Sequence, residues 1–327
     1  MKRTLQAQYR TWPLKEPFVI SRGRRSEARV VVVEIAAGGH RGRGESAGVT
    51  YKGETQEQLM AQIESVRDAI EGGVEREDLL ALLPAGGARA ALDAALWDLQ
   101  ARQSGIPVWQ RAGVGRGAAI DTAVTIGMRS PEACGRAAAA LAAYPWIKLK
   151  VGRDDPVAAI AAVRQAAPRS RLIVDANQAW EQADLLRWLP DLERLQVDLL
   201  EQPLARGRDG GLSRAECPIP ICADESVDGV EDLPRLHQGY RYINIKLDKC
   251  GGLTAALQLA RTAQGAGFRL MSGCMVASSL SMAPAMVLSQ LCEINDLDGP
   301  LLLAEDWLEG IVYDRGCMSP PWGRFWG

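Results

Sequence analysis

Histidine is almost absent: the 327 residues include only His40 and His237. A histidine-rich metal site or a histidine-centred triad is therefore poorly supplied, and acid–base chemistry has to come from lysines and carboxylates. No apolar stretch approaches the ~20 residues a membrane-spanning helix needs, which sets a membrane aside. After Met1-Lys2-Arg3 the chain continues through Thr4, Gln6, Gln8 and Arg10 instead of an apolar signal core, so secretion is not expected. The seven cysteines (134, 217, 222, 250, 274, 292 and 317) are odd in number, scattered and without a CxxC pair. Such a set suits reduced thiols in the cytoplasm better than a disulfide frame or a structural zinc. With a net charge of −2 and no long Lys/Arg run, nothing builds a phosphate-neutralising stripe, and nucleic acid is not an expected partner.

What is present divides in two. Arg29–Ala36 (RVVVVEIA) is an apolar strand-like run, preceded by the polar stretch Ser21–Ala28, which reads as a loop and carries Arg22, Arg24 and Arg25. Helical periodicity covers Glu54–Ile70 and returns in the Ala-rich Ala88–Gln103, with Leu92, Ala95, Leu96 and Leu99 on one face. Gly113–Gly117 punctuates the chain. Beyond it, β-rich runs (146–151, 171–176, 197–201, 219–223, 242–247, 268–272) alternate with helix-like stretches (156–167, 182–195, 230–238, 253–266). Alternation of this kind implies a parallel sheet. Six or more such units in about 200 residues favour a closed (β/α) barrel over an open doubly wound sheet. No GxGxxG or GxxxxGK(S/T) follows any of the strands, which weakens a nucleotide-binding sheet further.

The informative residues stand at strand ends. Lys148 and Lys150 close the first barrel run, Asp175 the second, Glu201 the third, Asp224 the fourth and Lys246 the fifth. The intervals from Lys150 onward are 25, 26, 23 and 22 residues, about one βα unit each. In a barrel these groups reach one mouth, where barrel enzymes build their active sites. A single Asp after a strand is usually a turn or cap residue. Three acids on consecutive strands, flanked by lysines, must either repel one another or hold a cation. Ligation by oxygen alone points to Mg2+.

The motifs Lys-x-Lys, Asp175-x-Asn177, Glu201-Gln-Pro, Asp224-Glu225-Ser and Asn244-Ile-Lys246 resemble the muconate-lactonizing-enzyme subgroup of the enolase superfamily. The resemblance runs over nearly the whole chain. It implies an α/β fold, a (β/α)7β TIM-like barrel (residues 113–310) under an α+β capping domain (1–112), with 311–327 returning to the cap. It also implies Asp175, Glu201 and Asp224 as Mg2+ ligands, Asn177, Glu225 and Asn244 as their supports, and Lys150 and Lys246 as opposed proton carriers assisted by Lys148. Asp296-Leu297-Asp298 looks like the Asp-x-Asp with which dipeptide epimerases hold a substrate ammonium, and with NIKLDKCGGLT and DLDGP the chain most resembles enzymes epimerising L-Ala-D/L-Glu.

The implied reaction is a 1,1-proton transfer at the α-carbon of a dipeptide's C-terminal residue, in the setting of murein peptide metabolism. An arginine of the Ser21–Ala28 stretch would take the γ-carboxylate; spacing favours Arg22, with Arg24 and Arg25 close behind. Muconate cycloisomerisation and o-succinylbenzoate synthesis would use the same lysines and Mg2+, but neither substrate carries an ammonium for Asp296 and Asp298. A Schiff-base aldolase barrel has no use for three metal-binding acids. A non-catalytic barrel would be marked by a missing lysine or ligand, and none is missing. Oligomeric state stays open, a homo-oligomer among the options.

Overall fold

The computed structural model describes residues 2–20, 23–115, 117–213 and 217–327. The first three strands, β1 (Thr4–Ile20), β2 (Gly23–Ala37) and β3 (His40–Ser46), form an antiparallel sheet in the order β1-β2-β3. Helix Gln56–Ser65 starts at a capping box, in which the Thr55 hydroxyl accepts from Gln58 N and the Gln58 side chain bonds back to Thr55 N. Helix Gly87–Ser104 lies across β3, and glycines permit the approach: a Cβ at Gly42 would meet Ala95 O at 2.1 Å, and one at Gly44 would meet Ala91 O at 2.0 Å. Ala91 and Ala95 are small for the same reason. This unit has its own apolar core, built only from residues between Leu5 and Leu99.

The short strand β4 (Ile120–Asp121) leads into eight parallel strands. These are β5 (Val124–Ile126), β6 (Trp146–Lys150), β7 (Arg171–Asp175), β8 (Leu199–Glu201), β9 (Ile221–Ala223), β10 (Tyr242–Lys246), β11 (Arg269–Gly273) and β12 (Ile294–Asp296). They pair in sequence order from β5 to β12. Ala123 N donates to Asn295 O at 2.7 Å, which brings the two edges together into the expected barrel. Two last short strands, β13 (Tyr313–Asp314) and β14 (Cys317–Met318), pair with each other and with β4. From there the chain returns to the N-terminal sheet: Trp326 Nε1 donates to Arg43 O and Gly327 N to Asp98 Oδ1, both at 2.9 Å.

Side-chain alternation in a strand explains why charge ends up inside this barrel. Trp146, Ile173, Leu199, Cys222, Tyr242, Met271 and Ile294, with Ala123, form a buried plug across the barrel interior. Two residues further along the same faces stand Lys148, Asp175, Glu201, Asp224, Asn244, Gly273 and Asp296. The residues between them, such as Ile147, Val174, Leu200 and Ile243, point outward into the core beneath the helices.

Two expectations change. Residues 23–28 are not loop but the start of β2, paired with β1 in a hairpin (Phe18↔Arg25, Val19↔Arg24). The stretch 230–238 is a 3-10 turn (Val230–Asp232) followed by a single helical turn, Leu233–Leu236. The crossover from β8 to β9 contains no helix among its described residues. All seven cysteines are free. Among the described residues no helix is long and apolar enough to cross a membrane.

Candidate active site

Register fixes which side chains meet. Lys150 and Asp175 are Cα partners across β6 and β7, and Asp175 and Glu201 across β7 and β8. Lys246 and Asp296 both pair with Gly273 of β11. A Cβ at Gly273 would lie 2.4 Å from Asn244 Oδ1, so the missing side chain leaves room for its neighbours.

The result is a buried network of alternating charge. Lys148 Nζ hydrogen-bonds Asp296 Oδ2 at 2.7 Å and lies 3.0 Å from Asp175 Oδ2. It also lies 2.7 Å from Glu201 Oε2, but this ion pair lacks the alignment of a hydrogen bond, and among the described residues Oε2 has no hydrogen-bond partner. Lys150 donates to Asp175 Oδ2 at 2.5 Å and Lys246 to Asp224 Oδ2 at 2.7 Å. Asp175, Glu201 and Asp224 are at most 1% exposed.

Charge and burial act oppositely on these groups. Burial, then the charge of Asp175, pushes the Glu201 carboxyl up to about 7. Burial works to raise Asp175 and Asp224 too, but Lys150 and Lys148 hold the first well below the usual carboxylate range, and Lys246 and Lys249 the second. Burial would likewise lower Lys148 and Lys246. Asp296 with Glu201 keeps the first far above the ordinary lysine value, and Asp224 does so for the second.

Among the described residues no three acids are drawn together tightly enough to enclose an ion as they stand, because ammonium groups sit between them. Even so, the donor set fits a hard divalent cation. Three carboxylates on adjacent strand ends are buried, each faces a lysine that stands in for a cation, and one buried oxygen of Glu201 has only that charge for company.

The supporting residues fall around this network. Asn244 Nδ2 donates to Glu201 Oε1 at 2.9 Å, Asn177 N to Asp175 Oδ1 at 2.8 Å, and Asn177 Nδ2 reaches Glu225 Oε1 at 3.5 Å. Asn177 takes φ +44°, a left-handed conformation that Asn tolerates better than most residues. Asp298 Oδ2 accepts from Thr125 N at 2.6 Å, and burial together with the neighbouring charge of Asp296 raises its carboxyl to about 6. An arriving ammonium would relieve the repulsion between Asp296 and Asp298.

The network also includes residues that strand-end spacing does not reveal. Lys249 Nζ spends its three donors on Asp224 Oδ1 (2.7 Å), Asp224 O (2.5 Å) and Asn244 O (3.1 Å). Gln202 braces the next strand end, accepting from Asp224 N at 2.8 Å and Ser226 N at 3.0 Å. The Lys-x-x-Lys from Lys246 to Lys249 was the available signal for the first; Gln202 stood beside Glu201 in plain view, with nothing in its spacing to single it out.

A cavity of about 390 Å3 opens above the lysines, within the range of small-molecule sites. Lys150, Lys246 and Asn177 line it from the barrel, with Cys274–Val276 beside them, and Phe18, Arg24, Arg25, Ala47, Gly48, Thr50 and Tyr51 from the cap. Arg25 donates to Thr50 Oγ1. Arg22 lies outside the described residues.

The chain matches known proteins along most of its length. Residues 2–113 match the model of the mandelate racemase/muconate lactonizing enzyme N-terminal domain, and residues 132–323 that of the enolase C-terminal domain-like family. The chain is 42% identical to the L-Ala-D/L-Glu epimerase of Escherichia coli, over 96% of this chain and 98% of the relative. It is 45% identical to the N-acetyl-D-glutamate racemase of a Pseudoalteromonas species, over 78% of this chain and 80% of that one. A crystal structure of an Agrobacterium tumefaciens enolase family member with homology to dipeptide epimerases, holding sodium and L-Ala-L-Glu, superposes with a TM-score of 0.96 at 42% identity, covering 99% of this chain and all of that one. A Methylococcus capsulatus dipeptide epimerase complexed with Mg and L-Arg-D-Lys superposes at 0.90 with 32% identity, over 98% and 97% of the two chains.

Proposed function

The chain belongs to the mandelate racemase/muconate lactonizing enzyme family of the enolase superfamily, and from that premise we propose that it is a Mg2+-dependent dipeptide epimerase acting on L-Ala-D/L-Glu. The observation that carries this reading is the pairing of two strand-end lysines, Lys150 and Lys246, on one cavity, with the buried acids Asp296 and Asp298 behind its lining residue Cys274. The related enzymes that share the chain's length and fold act on or bind dipeptides, two of them with Ala-Glu.

Asp175, Glu201 and Asp224 would hold the ion, which when bound would draw on the substrate α-carboxylate and favour the charge that builds there as the α-proton leaves. Lys150 and Lys246 stand on β6 and β10, separated by the three acid-bearing strands, so they approach the α-carbon from opposite sides. One takes the proton from one face and the other returns a proton to the opposite face, which inverts the centre. For this each lysine has to leave the carboxylate it now donates to, Asp175 for Lys150 and Asp224 for Lys246. Lys148, fully buried among acids, stays an ammonium and supplies fixed positive charge. Asp296 and Asp298 would receive the N-terminal ammonium. Arg24, which lines the cavity and is exposed, is the described arginine best placed for a γ-carboxylate, since Arg25 is engaged with Thr50.

The same reading divides the chain into a cap, residues 1–112 with 311–327 returning to it, over a barrel of residues 113–310. The separate apolar core of the N-terminal unit and the bonds from Trp326 and Gly327 back to Arg43 and Asp98 support that division. Free cysteines agree with a cytoplasmic setting, and an Ala-Glu dipeptide with the turnover of murein peptides.

The test is proton exchange in D2O with Mg2+, using L-Ala-L-Glu, L-Ala-D-Glu, an apolar dipeptide series and N-acetyl-L-glutamate. Deuterium at the C-terminal residue's α-carbon, fastest for the Ala-Glu pair, is the expected result. Exchange confined to N-acetyl-L-glutamate would move the assignment to the racemase type of the Pseudoalteromonas relative. Exchange in none of them would end the α-proton reading.

A further inference from the structure

The cap contributes one wall of the cavity through Ala47, Gly48, Thr50 and Tyr51. Two carboxylates running in opposite directions fasten this wall to the barrel. Asp248, two residues beyond Lys246, sends Oδ1 up into the cap, where it accepts from Ser46 Oγ at 2.5 Å, Ala47 N at 3.1 Å and Gly48 N at 3.2 Å. Glu45, at the start of the same cap segment, reaches down and accepts from Ser278 N at 2.8 Å and Ser278 Oγ at 2.6 Å. Both acids are 3% exposed. Neither forms a bond to the strand-end acids or lysines.

The segment between them has few bonds of its own. Its next amide, Val49 N, also goes to a carboxylate, Glu54 Oε2, at 2.6 Å. Gly48 turns the chain at φ +69°, with Glu54 and Leu59 so close that a side chain would not fit without displacing them. Three successive amides therefore point at side-chain acids rather than at a neighbouring strand, and the wall's position follows those acids.

Each fastening point lies next to a cavity residue on the barrel side. Asp248 stands in the helical turn Leu247–Cys250, which begins directly after Lys246, and Ser278 follows Cys274–Val276 by two residues. We propose that Asp248 and Glu45 form a reciprocal clasp that sets the cap wall against the barrel mouth, and that they are positioning residues for substrate binding. The inference rests on the dipeptide reading of the cavity. A displacement of about 1 Å in such a wall is enough to weaken a bound substrate's alignment. Carboxylates suit the task because they offer about four acceptor sites on two oxygens, twice those of a carbonyl or hydroxyl: Asp248 Oδ1 takes three donors, and Glu45 takes one on each oxygen.

The experiment compares Asp248→Ala, Asp248→Asn, Glu45→Ala and Glu45→Gln in the full chain with Mg2+. Hydrogen exchange of the peptide spanning residues 46–51 reads the clasp directly. Steady-state kinetics on L-Ala-L-Glu read its consequence. In both Ala variants we expect amide exchange in this segment to quicken at least tenfold, and KM to rise about tenfold with kcat within threefold of the parent. The Asn and Gln variants, which keep an acceptor oxygen, should recover most of both. A purely structural role would lower the melting temperature and the active fraction and leave KM alone, and that outcome overturns the proposal. So does unchanged exchange at 46–51, or a fall in kcat confined to the Asp248 variants. If Asp248→Ala does not fold, Ser46→Ala removes one donor from the clasp and should shift exchange and KM in the same direction. If the parent itself turns over no dipeptide, the functional reading has failed, and the exchange measurement still decides whether the clasp holds the wall.

Discussion

At the residue scale the two lysines carry the sharpest expectation. Lys150→Ala and Lys246→Ala should each lose epimerisation by on the order of a hundred- to ten-thousandfold, the usual worth of a positioned proton carrier. Each should still exchange the α-proton of one enantiomer, since the lysine on the other face remains. Chiral analysis alongside deuterium uptake from L-Ala-L-Glu and L-Ala-D-Glu separates the two effects. Parent-like epimerisation by either variant would end the two-lysine scheme. For Arg24→Ala, loss of a charged hydrogen bond predicts a drop of about ten- to a hundredfold in kcat/KM for L-Ala-L-Glu, with L-Ala-L-Met little changed. An equal drop for both peptides would remove Arg24 from the γ-carboxylate's site. Lys148, Lys150, Asp175, Glu201, Asp224 and Lys246 could be picked from the sequence because one βα unit per residue is a periodic signal. Thr125 could not. Its partner, Asp298, lies 173 positions away, and only the closed barrel brings the two together.

At the element scale the same contrast holds. The Ala-rich helix Gly87–Ser104 and the strands β6, β7 and β10 are legible because apolar residues repeat at the right interval. The hairpin arm at 23–28 is not, since residues 23–27 are exposed or half-buried and present no alternation. Nor is the joint between the cap helix and the barrel. There Asp93 accepts from Thr254 N at 3.1 Å and from the Thr254 hydroxyl, at the start of helix Leu253–Gly265. Burial raises Asp93 to about 6, from an ordinary value of 3.8. A carboxyl with a raised value in the folded state stabilises the fold fully below about 3.8, and that stabilisation is lost as pH rises through about 6. The shift corresponds to on the order of 3 kcal/mol. Asp93→Asn keeps an acceptor oxygen for Thr254 and cannot ionise. Its stability relative to the parent should therefore improve between pH 4 and pH 6.5, as measured by urea unfolding at each pH. A difference that stays flat across this window would mean that Asp93 is already ionised in the folded protein.

At the scale of the whole molecule, three buried lysines, the half-buried Lys150 and four buried acids meet at the barrel mouth, each lysine paired with at least one acid. Such a network tolerates burial only while its charges balance, because an ion left without its partner typically costs about 3–5 kcal/mol. Asp224 is the partner of both Lys246 and Lys249, so Asp224→Asn leaves two ammonium groups short of a counter-charge. In metal-free buffer this variant should melt well below the parent. Adding Mg2+ should raise the parent's melting temperature, because a ligand at a hundred times its Kd stabilises the state it binds by about 2.7 kcal/mol. EDTA should reverse the rise and abolish activity together. Asp224→Asn should show little of the Mg2+-dependent rise, while a variant far from the mouth, such as Leu186→Ala at an exposed position, should keep all of it. Equal rises in all three proteins would place the ion elsewhere, and the strand-end acids would then serve only to neutralise the lysines.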